Sequence, residues 1–254
     1  MNELLKTNER IDDLQYNGLR IIQSSEAFRF GMDAVLLADF ARLRPKEKVA
    51  DMGTGTGILP LLLSQKDPSC TFEAFEIQSE MAQMAARSVN LNGLQGRITV
   101  HEADMRDAWK ITGREKMHAV VCNPPYGKRG GTLTSEKSGV SIARHEADCT
   151  IDDVAASCAA VLRNMGRLYI VFPAQRMLEL FDALRKARLE PKKIRMVCAK
   201  VEKAPYLVMV EAMKNARPQL LWMPPLVVYH ADGRETEEIR RIYHQEPYSD
   251  QVSI

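Results

Sequence analysis

Val49-Ala50-Asp51-Met52-Gly53-Thr54-Gly55-Thr56-Gly57 runs from a short apolar segment into a helical pattern spanning Gly57–Gln65. A strand that ends in alternate glycines and reopens as a helix brings ligand close to bare backbone, with unpaired amides at the helix start. The spacing is G-x-G-x-G, whereas loops that cradle a dinucleotide use G-x-G-x-x-G. Asp51, two residues before Gly53, would repel a pyrophosphate and suits a cationic ligand instead. A plain tight turn is the alternative.

Outward from this loop, short apolar runs alternate with longer helical patterns. Thr71–Ile77 reads as a second strand and Ser79–Asn92 as a helix closed by Gly93. Ile98–His101 and Ala119–Cys122 are further strands. Asp152–Arg163 is an amphipathic helix ended near Gly166, Arg167–Phe172 a strand and Met177–Ala187 a helix. Ile194–Ala199 and Tyr206–Ala212 are strands joined by the short loop Lys200–Pro205, so they must pair antiparallel. The expected fold is α/β and Rossmann-like: a mostly parallel seven-stranded sheet with one antiparallel strand and helices on both faces.

Two more acids follow strands. Glu76 ends the second strand, where open α/β sheets bind ligands, and could accept both hydroxyls of a ribose. Asp104, after the third, could accept from an adenine amine of the same ligand. Next to them comes Val121-Cys122-Asn123-Pro124-Pro125-Tyr126-Gly127. Two prolines stiffen this turn, which is its bland reading. The carbonyl oxygens of the Asn123 side chain and of Pro124 can each accept one hydrogen of a weakly nucleophilic amine, and Tyr126 offers a face for an extruded base. Attack by such an amine on a strong electrophile needs no prior general base. His145 therefore reads as an exposed loop residue.

These motifs resemble the class I amino-methyltransferases acting on adenine, guanine or glutamine amides. The stretch Phe28-Arg29-Phe30-Gly31-Met32-Asp33-Ala34-Val35-Leu36-Leu37-Ala38 and the ending Pro224–Tyr229 through Thr236–Ile239 are similar to the bacterial transfer-RNA adenine methyltransferases that modify adenine 37 of the valine tRNA. That resemblance implies S-adenosylmethionine as cofactor. It implies Asn123, Pro124 and Tyr126 as catalytic residues, and Asp51, Gly53, Gly55, Gly57, Glu76, Asp104, Asn123 and Asp33 around the cofactor. Asp33 also reads simply as a helix N-cap.

The overall charge of +2 does not announce a nucleic-acid binder, but its distribution is uneven. Ten Lys/Arg stand against four Asp/Glu between Leu180 and Leu220, among them Arg185, Lys186, Arg188, Lys192, Lys193 and Arg195. A solvated face competes with a phosphate-binding patch there. Lys128, Arg129, Lys137 and Arg144 follow the Asn-Pro-Pro-Tyr turn, with Gly130-Gly131 suggesting a mobile lid. Lys128, Arg129 and Arg144 are the candidate RNA contacts, and a single-stranded anticodon loop suits them better than a duplex.

The five cysteines are scattered and form no CxxC pair, so no disulfide framework or metal site is expected. The polar N-terminus and short apolar runs predict a soluble, cytoplasmic protein that does not enter a membrane. A monomer with one domain is expected: an N-terminal cap segment over 1–46, a catalytic core over 47–214 and a tail over 215–254. A release-factor glutamine methyltransferase and a noncatalytic RNA-binding protein are the alternatives. Guanine-specific ribosomal RNA methyltransferases and nicotinamide dehydrogenases fit less well.

Overall fold

A computed structural model of the chain describes residues 5–24, 31–125 and 149–244. Its strands are β1 (Glu9–Asp13), β2 (Arg20–Ser24), β3 (Lys48–Met52), β4 (Thr71–Glu76), β5 (Ile98–Glu102), β6 (Met117–Cys122), β7 (Leu162–Pro173), β8 (Leu189–Cys198), β9 (Pro205–Lys214), β10 (Leu221–Trp222) and β11 (Leu226–Val227). Its helices are α1 (Met32–Phe40), α2 (Ile58–Ser64), α3 (Ser79–Leu91), α4 (Ala108–Thr112), α5 (Ile151–Val161), α6 (Met177–Lys186) and α7 (Glu237–His244).

The main sheet runs β8-β9-β7-β6-β3-β4-β5, with β9 antiparallel to both neighbours. This is the seven-stranded core expected from the sequence. Two short strands, β10 and β11, extend it by pairing parallel to the outer edge of β8. Pro191 and the lysines after it hide the true start of β8. The strand begins at Leu189 and absorbs the proline through a register shift between Pro191 and Lys193, the position where a missing N–H does least harm.

Strand β3 is buried on both faces, as a central parallel strand must be. Val49 joins a core shared with α1, α2 and α7, while Ala50 and Met52 face the layer of α5 and α6. Helix α2 is buried along its whole length. Pro60 falls in its first turn, where an absent N–H breaks no intrahelical bond. Asp33 is not an N-cap. Helix α1 starts at Met32 with Gly31 as cap, so Asp33 lies inside the first turn, where its charge suits the positive end of the helix.

Several elements have no counterpart in the sequence reading: α4, β10, β11 and the pair β1 and β2. β1 and β2 form a separate antiparallel hairpin that packs on α3. The Ile22 amide donates to Ser88 Oγ at 2.9 Å, and Arg87 grips both Glu9 carboxylate oxygens at 2.5 and 2.7 Å. Ile22 also packs with Met81 and Met84.

Below the sheet, Glu47 and Arg167 form an ion pair with side chains only 5% and 8% exposed. Arg167 donates further to the Arg42 carbonyl, which Tyr169 also holds. Breaking a buried pair strands a charge. Glu47→Ala should therefore lower unfolding free energy by about 3–5 kcal/mol, read as a drop in the urea midpoint at unchanged slope. A loss below about 1 kcal/mol would mean that water reaches the pair.

Candidate active site

The registers bring the sequence-predicted residues together. β6, β3, β4 and β5 are adjacent and parallel, with Asp51 opposite both Val121 and Ala74, and Glu76 opposite Glu102. Their carboxyl ends therefore line up as Asn123, Gly53, Glu76 and Asp104, about 5 Å per strand step. The chain proceeds from β3 towards β5 on one side and resumes with β6 on the other. The gap between β3 and β6 is thus the switch point at which open α/β sheets bind ligands.

The glycine loop folds over β4. Gly53 and Thr54 donate to the Phe75 carbonyl at 3.0 and 2.9 Å. Gly55 donates at 2.9 Å to one Glu76 carboxylate oxygen, and the other accepts the Gln78 amide at 2.9 Å. Burial raises the pKa of Glu76, opposed by these amide bonds. Gly57 has φ 88° and caps α2. A Cβ there would meet the Ala85 Cβ at 3.3 Å, so backbone conformation and the approach of α3 both call for glycine.

Asp51 is fully buried, and neither carboxylate oxygen has a hydrogen-bond partner; the Thr54 hydroxyl is equally unpaired. Burial lifts the Asp51 pKa to about 7, the Thr54 side chain works against the shift, and the charge of Glu76 adds to it. A buried, unpartnered carboxylate is costly unless a cation joins it. That orphan, with a second buried acid one strand away, fits a cofactor carrying an ammonium group and a ribose diol.

Two apolar side chains that sequence reading missed stand beside the acid row. Ile77, directly after Glu76, is 41% exposed. The Met105 methyl lies 3.5 Å from where a Cβ on Gly53 would stand. No linear pattern singles them out. Asp104 is less open than expected: its oxygens accept from the Arg106 amide at 2.8 Å and from Arg106 Nε at 2.9 Å. Cys122 was also unanticipated. Its thiol donates to the Met52 carbonyl at 3.2 Å, tying the strand ends that present Asn123 and the loop.

Asn123 and Pro124 stand where the turn was expected, half-buried and buried respectively. Tyr126, Lys128, Arg129, Lys137, Arg144 and His145 lie outside the described residues. Asp33 stands near Tyr206 and Tyr243, whose pKa values its charge helps to raise after burial, that of Tyr243 to about 12. Much of the basic stretch after Leu180 is neutralised locally: Arg185 pairs with Glu190, Lys186 with Asp152, Lys193 with Glu211 and Arg195 with Glu238. Four of the six basic residues singled out there are ion-paired. Among the described residues, no group of three or more His, Cys, Asp or Glu could hold a metal ion, and no helix is long and apolar enough to cross a membrane.

Sheet order, glycine loop and acid row define a class I S-adenosylmethionine-dependent methyltransferase. A predicted O-methyltransferase from Agrobacterium tumefaciens superposes with a TM-score of 0.70 at 23% identity, covering 87% of this chain and 100% of that one. An S-adenosylmethionine-dependent O-methyltransferase from Thermotoga maritima gives 0.53 at 17% identity over 76% and 68%. The chain belongs to the methyltransferase small domain family, whose model matches residues 31–197. It is 27% identical over 227 residues to a Haemophilus influenzae protein named tRNA1(Val) (adenine(37)-N6)-methyltransferase, covering 87% of this chain and 92% of that one. A Porphyromonas gingivalis protein of the same name is 25% identical over 239 residues, covering 91% and 93%.

Proposed function

We propose that this protein methylates the exocyclic amine of adenine 37 in a valine tRNA, as the names of its relatives describe for them. The observation that carries the reading is Asn123-Pro124 at the end of β6, one strand from the glycine loop and its orphaned Asp51. Bound S-adenosylmethionine supplies an electrophilic methyl group on sulfur. Asp51 and Glu76 would hold its amino-acid and ribose portions.

Asn123 and the Pro124 carbonyl accept the two amine hydrogens of the target base. Neither competes as a donor, so electron density stays on the nitrogen while the two groups are aligned. The methylated amine is acidic and loses its proton after transfer, so no base is needed at the attack step. Tyr126 stacks on the extruded adenine, and Lys128, Arg129 and Arg144 contact RNA phosphates. The working compartment on this reading is the cytoplasm, where the free thiols stay reduced.

The test is incubation with methyl-labelled cofactor and bulk RNA from a bacterium lacking this activity, followed by digestion to nucleosides. Label in 6-methyladenosine confined to the tRNA fraction is the expected result. Label absent from RNA but present on a release-factor glutamine would overturn it.

A further inference from the structure

The carboxyl end of the sheet has two unlike halves. Over β3, β4 and β5 it carries Asp51, Glu76 and Asp104. Over β7, β9 and β8 it presents apolar and aromatic side chains to water instead. Val201, at the tip of the β8–β9 turn, is 81% exposed, and Tyr206, at the start of β9, is 37% exposed. The registers locate Tyr206. Cys122 pairs with Ile170, Val171 with Met209 and Pro173 with Leu207. Tyr206 therefore stands roughly 10 Å sideways from Asn123, two strand spacings away, and roughly 10 Å further along the strand direction.

Its ring does not swing freely. The phenol donates to Met32 Sδ on α1 at 3.7 Å, a soft contact that holds the ring at its hydroxyl end. The turn beside it is also fixed: the Lys203 amide donates to the Lys200 carbonyl at 3.0 Å, and Lys200 Nζ to the Ala231 carbonyl at 2.9 Å. Lys200 and Lys203 outnumber Glu202 in this turn. A partly exposed aromatic side chain and an apolar tip on rigid backbone match what a single unstacked base requires, while Asp33 beside Tyr206 and Asp232 beside Lys200 offset the lysines of the turn. The patch is far too small for a stable protein interface.

We propose that Tyr206, with Val201, is a stacking platform for a second nucleobase, one flanking the adenine held at Asn123. This rests on the adenine-methylation reading and adds to it a determinant of which single-stranded loops are accepted. Base stacking on an aromatic ring tolerates any base, so the platform selects for an unstacked neighbour more than for its identity.

The test uses an unmodified valine tRNA transcript and separates KM from kcat. Tyr206→Ala should raise KM for the RNA about tenfold and leave kcat and cofactor Kd within about twofold, while Tyr206→Phe and Tyr206→Trp keep KM near that of the unaltered protein. Val201→Asp, at a tip too exposed to disturb the core, should raise KM about threefold. Unchanged KM in both Tyr206→Ala and Val201→Asp would overturn the platform, as would equal damage from Tyr206→Phe and Tyr206→Ala. Loss of cofactor affinity in Tyr206→Ala would overturn it too, because it would mark a structural role through α1. Absence of methyl transfer to RNA by the unaltered protein would instead strike the adenine reading itself.

Discussion

Asn123→Ala should lower the single-turnover rate of methyl transfer by about 10²–10³, while cofactor affinity stays within a few-fold. The backbone that carries Asn123 is held through its neighbour: Cys122 is locked into the β6–β7 ladder opposite Ile170 and reaches the Met52 carbonyl through its thiol. What the substitution removes is an acceptor for the target amine. The lost interaction is therefore one that strengthens as positive charge builds on nitrogen. Calorimetric titration with S-adenosylhomocysteine alongside the rate measurement separates the two effects. A parallel collapse of affinity and rate would show that Asn123 serves the cofactor pocket.

Asp51→Asn should act in the opposite compartment, weakening cofactor binding by roughly 30-fold or more while stabilising the cofactor-free protein. Burial raises this carboxyl from 3.8 to about 7. Between those values the folded chain retains a proton that the unfolded chain has already lost. The contribution of Asp51 to stability is therefore full below pH about 4 and declines as pH rises to about 7. Asparagine cannot ionise, so the variant should escape that decline, gaining on the order of 4 kcal/mol at pH 8 and little at pH 4. A cationic amino group brought to Asp51 favours its ionised form, so cofactor affinity of the unaltered protein should rise with pH through about 7. Urea melts at both pH values check the first claim, and titrations across the same range check the second. A variant no more stable at pH 8, with unaltered cofactor affinity, would remove Asp51 from the pocket.

The parts of this site that were legible in the sequence share a physical cause. β3, β4 and β6 are short apolar runs bounded by turn residues, so their ends could be located, and Asp51, Glu76 and Asn123 stand directly at those ends. The parallel register then does the rest. Ile77 and Met105 were not legible, because how an apolar side chain sits beside a loop is a property of three dimensions. Asp104 was found, but its engagement with Arg106 two residues later was not. The β1–β2 hairpin escaped because Glu9–Asp13 is nearly all polar, and its apolar mates lie on α3, far along the chain. The start of β8 was missed because Pro191 and two lysines interrupt a strand that tolerates them through a bulge.

The hairpin has a consequence for the order in which the molecule assembles. Glu9 meets Arg87 and Ile22 meets Ser88 across most of the first ninety residues, so these contacts close only after α3 has formed against the growing sheet. The hairpin is therefore expected to fold late, with its native contacts largely missing from the transition state. Destabilising it should chiefly speed unfolding and leave the folding rate nearly unchanged. The helix it holds is the one whose Ala85 abuts Gly57. Amides of β1 and β2 that exchange with solvent sooner than those of β3 would mark the hairpin as the first part of the fold to let go, and its loss would free the outer side of the helix that backs the glycine loop.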